Sequence, residues 1–150
     1  LSDVAVSTSA DTYRFYVWQD KIYKHILDPQ TGKPSDNGVI SVTALVPLAE
    51  GAAYAGAFAD ALSTAGFCMP LREALAFYGE MAQKYGVGAL VITADFRYYV
   101  VGDYDILDPG DFSAGSKDVF ARADVGDAPE RAEPSEGELE YIREVAKLYA

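Results

Sequence analysis

The chain has 150 residues, half of them hydrophobic, which is typical of a folded globular domain and argues against an intrinsically disordered chain. Its 23 acidic and 12 basic residues give a formal net charge of −11 at pH 7. This charge argues against sequence-independent binding to nucleic acid and against docking on anionic lipid. Cys68 is the only cysteine, which excludes an intrachain disulfide and a cysteine-rich metal site.

Runs of β-branched and aromatic residues predict strands in the first third of the chain. We expect a strand at Val4–Ser9 and then a hairpin whose arms, Arg14–Trp18 and Lys21–Leu27, flank Gln19-Asp20. A further strand is predicted at Val39–Val46, because β-branched residues dominate this run.

The loop after the hairpin, His25–Gly32, contains the only histidine of the chain. Pro29 fixes its own φ, and Gly32 permits a left-handed step that brings backbone N–H groups close to a ligand. An imidazole beside exposed N–H groups suits an anionic group such as a phosphate. The alternative is an ordinary Pro/Gly turn with a half-buried His25, and composition alone favours that alternative.

An alanine-rich segment, Ala52–Ala65, predicts the first helix, with Gly66 as its stop. The large side chains of Tyr54, Phe58 and Leu62 recur every four residues, so we expect them to share one face of this helix.

A second helix is predicted from Pro70 to Tyr85, where Gly86 ends it. Two strands follow, Gly88–Thr93 and Arg97–Val101. The order strand–strand–helix–helix–strand–strand predicts an α+β fold, with two helices packed on one face of a mostly antiparallel sheet.

The last third has a different character. Residues 103–134 are rich in Asp, Gly, Ala and Pro without sustained periodicity, so we expect a loop there. Ser135 and Glu138 form a capping box for a final amphipathic helix, which we expect to dock on the core. We therefore assign residues 1–102 to the main fold and residues 103–150 to an extension of the same domain.

Asp60 and Thr64 are four residues apart on the first predicted helix, so they lie on one helical face within reach of a single ion. A carboxylate and a hydroxyl are suitable oxygen ligands for Mg²⁺, which takes few ligands from protein and the rest from water and phosphate. For an isolated pair, a solvated Asp and a Thr bonded back to its own helix is the commoner arrangement.

Several of these segments together resemble the ApbE family of flavin transferases. The resemblance rests on the His-Ile-Leu-Asp-Pro-Gln-Thr-Gly loop at 25–32, the Val-Ile-Ser-Val-Thr-Ala strand at 39–44 and the Ala-Asp-Ala-Leu-Ser-Thr helix at 59–64. Upstream, Val6–Arg14 is similar to the family's Ala-Thr-Ser-Gly-Asp-Tyr segment, with Ala10 where glycine is usual.

The resemblance implies an FAD:protein FMN transferase, which splits FAD with the help of Mg²⁺ and attaches FMN through a phosphoester to a Thr or Ser of an acceptor protein. It implies that Asp60 and Thr64 hold the metal, and that His25 contacts the pyrophosphate or assists proton transfer. It also implies contacts of Leu27, Thr31 and Gly32 with the flavin nucleotide, and an extracytoplasmic location, periplasmic or membrane-associated.

Members of this family are considerably longer, and the resemblance covers Val4 to Val101. We therefore expect the chain to correspond to the C-terminal half, with the active site completed by a missing N-terminal segment or a companion chain. Three alternatives stay open: a flavin-binding module without transfer, an FAD pyrophosphatase that releases AMP and FMN, and a flavin acceptor. The acceptor is disfavoured because Ser63–Gly66 and Ser113–Ser116 do not match an acceptor segment.

Overall fold

The structure is a computed structural model and describes residues 3–11, 15–18, 21–48, 53–104, 121–137 and 139–140. Its elements are β1 Val4–Ala10, β2 Phe15–Trp18, β3 Lys21–Lys24, β4 Val39–Pro47, α1 Ala55–Cys68, α2 Leu71–Tyr85, β5 Gly88–Thr93, β6 Arg97–Val101 and β7 Ala121–Arg122, followed by a 3₁₀ turn at Val125–Asp127. The predicted α+β class is confirmed.

The main sheet has five strands in the order β1-β4-β5-β6-β7, and β2 and β3 form a separate hairpin. Pairing is antiparallel from β1 to β6, and β7 joins β6 in parallel. In the described part of the chain β1 is therefore an edge strand, whose partner is β4 alone, in a register that runs from Val4 opposite Pro47 to Ala10 opposite Ser41.

Both helices cover the same face of this sheet. Successive side chains of a strand alternate between the two faces, so the residues that share a face are two apart. One buried cluster joins residues of α1 and α2 to alternate residues of three strands: Val42, Ala44, Val46, Ala89, Val91, Tyr99 and Val101. This confirms the prediction of two helices on one face.

Helix α1 differs from its prediction at both ends. It runs to Cys68, so Gly66 is an interior residue and not a stop. Of the three large side chains expected to share one face, Tyr54 and Phe58 are 81% and 42% exposed, whereas Leu62 is buried. The buried face is composed mainly of small residues: Ala55, Ala59, Leu62, Ser63, Gly66 and Phe67. Small side chains allow the helix to approach its neighbours closely. The face with the small residues is therefore the one that packs against the core.

The second helix and the two strands after it match their predictions. Helix α2 ends at Gly86, which has φ 66° and whose N–H donates to the carbonyl of Ala82, closing the last turn. Its buried side chains include Leu71, Leu75 and Tyr78, whereas Tyr85, the last residue of the helix, is 53% exposed.

Two predictions of secondary structure were wrong, one at the end of a strand and one inside a loop. Strand β3 ends at Lys24 and not at Leu27, because the chain bends at His25. The predicted loop 103–134 contains β7, which is too short to leave a periodic pattern and forms by pairing with β6.

The final predicted helix is described only at its start. Residues 136–137 and 139–140 are helical, and the N–H of Leu139 donates to the carbonyl of Ser135 at 2.9 Å. Glu138 and residues 141–150 lie outside the described residues, and so does the docking of this helix. Within the described residues we find no helix with the length and apolar character needed to cross a membrane.

Candidate functional site

The loop that follows β3 is closed by its own backbone. The N–H of Asp28 donates to the carbonyl of Lys33, and the N–H of Gly32 donates to the carbonyl of Asp28, both at 2.8 Å. Gly32 has φ 66°, the left-handed conformation predicted for it. His25 lies exposed at the entrance to this loop, where β3 has ended.

The carboxylate of Asp28 fixes the shape of the loop. It accepts hydrogen bonds from the N–H of Gln30 at 2.8 Å and from Oγ1 of Thr31 at 2.9 Å. These bonds stabilise the ionised form and lower the pKa of Asp28 below its ordinary value. The hydroxyl hydrogen of Thr31 is therefore used inside the loop.

The segment after the loop is bound to the C-terminal end of α1. Nδ2 of Asn37 donates to the carbonyls of Phe67 at 2.8 Å and Met69 at 2.6 Å, and Oγ of Ser35 donates to the Phe67 carbonyl at 3.2 Å. These bonds satisfy carbonyls that a helix end leaves without helical partners. They also fix the loop against α1, the helix that bears Asp60.

Asp60 and Thr64 lie on the side of α1 that faces β1. Oδ1 of Asp60 accepts from Oγ of Ser7 at 2.9 Å, and Oγ1 of Thr64 lies 3.0 Å from Oγ of Ser9. Ser63 is fully buried behind them, 2.9 Å from Ser9. Short polar side chains therefore connect the edge strand β1 to α1 by hydrogen bonds.

The loop and the helix meet at a cavity of about 560 Å³. Four of the residues predicted to form the site line it together: His25, Leu27, Asp60 and Thr64. A second cavity, of about 940 Å³, shares Leu27, Asp60 and Thr64 with the first. Thr31 and Gly32 line neither cavity, and their visible contribution is to close the loop.

The oxygen atoms present suit a hard cation. Oδ1 of Asp60 accepts a hydrogen bond from Oγ of Ser7, whereas Oδ2 accepts no hydrogen bond from the described residues. In that part of the chain we find no group of three or more His, Cys, Asp or Glu side chains able to hold a metal. Mg²⁺ needs no such group, because it commonly takes one or two carboxylates and completes its shell with water and phosphate. Asp60 and Thr64 therefore fit a magnesium site that a phosphate ligand completes.

Cys68 lines the larger cavity, and its Sγ lies 3.6 Å from the carbonyl of Leu27. Partial burial, and secondarily the negative charge of Asp28, raise the pKa of this thiol. A raised pKa disfavours the thiolate form that a nucleophilic cysteine needs.

The sequence predicts no specific role for Ser7, Ser9 or Asn37. Ser7 and Ser9 are two apart in a strand, which places them on one face, but the pattern does not reveal which helix covers that face. Asn37 precedes a glycine and a strand, so its sequence context indicates only a turn.

Comparison with known proteins identifies relatives of this chain. The model of the ApbE family matches residues 1–90. Curated relatives include the FAD:protein FMN transferase of Vibrio cholerae, 54% identical over 44 residues, which are 29% of this chain and 13% of the relative. The FAD:protein FMN transferase of Chlamydia trachomatis is 39% identical over 64 residues, which are 43% of this chain and 20% of that relative.

Two solved structures are also similar. The ApbE protein of Thermotoga maritima is 37% identical with a TM-score of 0.47, over 59% of this chain and 26% of that one. The flavinyl transferase ApbE of Pseudomonas stutzeri, in its apo form, is 28% identical with a TM-score of 0.46, over 62% of this chain and 26% of that one. The chain thus spans a fifth or less of the two curated relatives. Because the family match extends over more than half of this sequence, the resemblance drawn from its motifs is confirmed, and the chain belongs to the ApbE family.

Proposed function

We propose that this chain forms the part of an FAD:protein FMN transferase that holds the FAD pyrophosphate and a magnesium ion. The observation that carries the proposal is the meeting of His25, Asp60 and Thr64 at one cavity, although His25 is 35 positions before Asp60 in the sequence. The names of the curated relatives, FAD:protein FMN transferase, support the same reaction.

In that reaction a Thr or Ser hydroxyl of the acceptor protein attacks the phosphorus atom of the FMN half of FAD. One P–O bond forms to the acceptor oxygen, the P–O bond to the AMP half breaks, and AMP leaves with the electron pair. The hydroxyl proton must pass to a base. His25 is exposed and lines the cavity, and it is the side chain of this region best suited to accept that proton or to contact the pyrophosphate.

Charge explains why a cation is needed at this position. The chain is strongly acidic, and Asp60 lies in the wall of the cavity, so the pyrophosphate would be repelled without a counter-charge. Asp60 and Thr64 would hold Mg²⁺, and the ion would supply charge neutralisation and Lewis-acid polarisation of the phosphate oxygens. Leu27 would contact the nucleotide from the loop side, because it lines both cavities and is 53% exposed.

The remainder of the site belongs to a segment outside this chain. The curated relatives are several times longer than the matched part, so we propose an N-terminal half or a companion chain that supplies the rest of the flavin cradle. The resemblance to the family supports an extracytoplasmic location, periplasmic or membrane-associated, for the assembled enzyme.

The decisive experiment is incubation of the chain, together with the N-terminal half that completes the site, with FAD, MgCl₂ and an acceptor protein that carries a Thr/Ser flavinylation site. AMP and covalent flavin are measured separately. Transfer predicts AMP and flavin-labelled acceptor in equal amounts. AMP with free FMN would replace transfer by pyrophosphatase activity, and FAD binding without AMP would leave a flavin-binding module. Flavin attached to this chain itself would show that it is an acceptor.

A further inference from the structure

We infer that Ser7 and Ser9 of strand β1 are positioning residues for the cation site on α1. Ser7 determines which carboxylate oxygen of Asp60 is left for the ion, and Ser9 determines where the hydroxyl of Thr64 points. The inference rests on the magnesium-binding part of the proposed function and deepens it.

The role of Ser7 follows from the two oxygens of one carboxylate. Oγ of Ser7 donates to Oδ1 of Asp60 at 2.9 Å, and Oδ2 is left without a hydrogen bond from the described residues. A carboxylate held at one oxygen loses rotational freedom before the ion arrives, so less entropy is lost on binding. Such hydrogen bonds to a ligand orient it and raise its affinity for the metal.

The role of Ser9 follows from a count of hydrogens. Ser9, Ser63 and Thr64 bring three hydroxyl hydrogens to four close oxygen pairs: Ser9–Ser63 at 2.9 Å, Ser9–Thr64 at 3.0 Å, and the pairs of Ser63 and Thr64 with the carbonyl of Asp60 at 3.0 and 3.1 Å. A hydroxyl has one hydrogen and two lone pairs. When Ser63 and Thr64 both donate to the carbonyl of Asp60, the single hydrogen of Ser9 is left for one of the two hydroxyls. Donation from Ser9 to Thr64 fills one lone pair of Thr64 and leaves the other for the cation.

Strand β1 holds both serines in place through its backbone. Ser7 lies opposite Ala44 and Ser9 opposite Val42, so both point to the helix-covered face. Thr8 points to the other face, where its hydroxyl lies 2.8 Å from that of Thr43. Ser7 and Ser9 on the helix-covered face thus provide the test pair, and Thr43 of β4, which contacts Thr8 on the other face, provides the control.

A metal-binding measurement tests the inference in the 150-residue chain together with the N-terminal half that completes the site, with saturating FAD. We would titrate MgCl₂ and, separately, CaCl₂ by calorimetry into wild type, Ser7→Thr, Ser7→Val, Ser9→Ala and the control Thr43→Val. Thr and Val have the same shape and differ only in the hydroxyl, and Ser7 is half-buried on a strand that tolerates both.

We expect Ser7→Val and Ser9→Ala to weaken Mg²⁺ binding by about 10-fold or more, the range found when a hydrogen-bond partner of a metal ligand is removed. Ser7→Thr should bind nearly as wild type does, and Thr43→Val should be unchanged. Ca²⁺ affinity should fall less than Mg²⁺ affinity, because Mg²⁺ demands near-ideal octahedral geometry and Ca²⁺ tolerates a looser shell.

Three results would overturn the inference. Equal Mg²⁺ affinity of Ser7→Thr and Ser7→Val would show that the hydroxyl does not position Asp60. A parallel fall in Mg²⁺ affinity, Ca²⁺ affinity and melting temperature would reduce both serines to structural contacts. No saturable response to Mg²⁺ in wild type would remove the metal site itself. Serine-dependent Mg²⁺ binding without AMP release would preserve the inference and overturn only the transfer chemistry.

Discussion

At the scale of single residues, Thr64 combines two arrangements that the sequence presents as alternatives. One is a hydroxyl bonded back to its own helix, and the other is a hydroxyl placed at the candidate metal site. Its Oγ1 donates back to the carbonyl of Asp60 at 3.1 Å, the bond typical of a threonine inside a helix. The same residue lines the cavity together with His25. A hydroxyl that donates to its helix keeps its lone pairs, so the structural bond does not prevent ligation.

The first prediction concerns the metal ligands. Asp60→Ala should abolish Mg²⁺-dependent FMN transfer in the complete enzyme, and Thr64→Val should reduce it, because each variant loses an oxygen donor. Both residues are exposed, so the free energy of unfolding should change by no more than about 1 kcal/mol. Mg²⁺ titration with FAD present is the measurement, and an identical response of wild type and Asp60→Ala would place the metal elsewhere.

The second prediction concerns His25. His25→Ala should weaken FAD binding or lower the rate of transfer while leaving the fold intact, because this exposed side chain is at a bend. His25→Gln is the matched variant, since it keeps a hydrogen-bond donor but is not a base near neutral pH. Restoration of FAD affinity without restoration of rate would assign proton transfer to the imidazole. Wild-type affinity and rate in His25→Ala would exclude it from the site.

The third prediction concerns pH and the loop. The pKa of Asp28 is lowered in the folded chain, so its stabilisation of the loop is complete above the ordinary value of 3.8 and is lost as pH falls through the lowered value. The amide proton of Gln30, which donates to this carboxylate, should report the change in an NMR pH titration. We expect a midpoint below 3.8, and no such transition in Asp28→Asn. A midpoint at or above 3.8 would contradict the prediction.

At the scale of elements, α1 is defined by the small residues that it buries. A Cβ added at Gly66 would lie 2.6 Å from Cε2 of Tyr78, well inside van der Waals contact. Tyr78 is itself fully buried, and its hydroxyl donates to the carbonyl of Leu62 at 2.7 Å. Burial raises the pKa of Tyr78, so the phenol stays protonated and the bond persists throughout the ordinary pH range. Gly66 therefore sets the distance between α1 and α2.

The fourth prediction tests this close approach. Gly66→Ala should destabilise the fold by about 1–3 kcal/mol, the usual cost of overpacking, although alanine is the better helix former. The control is Gly79→Ala in α2, where nothing lies within 4 Å of the added Cβ. It should stabilise the chain by up to about 1 kcal/mol. Chemical denaturation of both variants measures the two effects, and a stabilised Gly66→Ala would show that α1 and α2 can separate at little cost.

At the scale of the whole molecule, the most consequential feature is that β1 lies at the edge of the main sheet in the described part of the chain. This strand pairs only with β4 in the described part of the chain, and it carries Ser7 and Ser9, which contact α1. An unpaired strand edge readily accepts another strand. A segment that pairs with β1 would therefore lie next to the candidate metal site.

The fifth prediction is that such a segment completes the enzyme. The chain alone should release little AMP from FAD, and addition of the N-terminal half should both restore release and slow amide hydrogen exchange along β1. Hydrogen exchange with mass spectrometry measures the protection, and an unrelated acidic protein serves as the control for addition. A stable monomer that releases AMP without a companion would refute the prediction.

The sequence by itself determined the elements whose signals are local. Helix α2, β5 and β6 could be predicted closely, because an apolar stripe and a terminal glycine at 86 mark the helix and β-branched runs mark the strands. The family was also within reach, since three ordered motifs identify it without knowledge of any contact. The same motifs named Asp60 and Thr64, and their spacing alone placed them on one helical face.

Tertiary structure decided what depends on distant partners. Whether α1 buries large or small side chains depends on how closely the sheet and Tyr78 approach it. The hydrophobic periodicity of the sequence does not predict that distance. The roles of Ser7 and Ser9 require the register of β1 against β4 and the position of α1 above them. Asn37 acts only because the end of α1 lies beside it. Propensity and pattern are properties of neighbouring residues, whereas these contacts join residues about 30 to 55 positions apart.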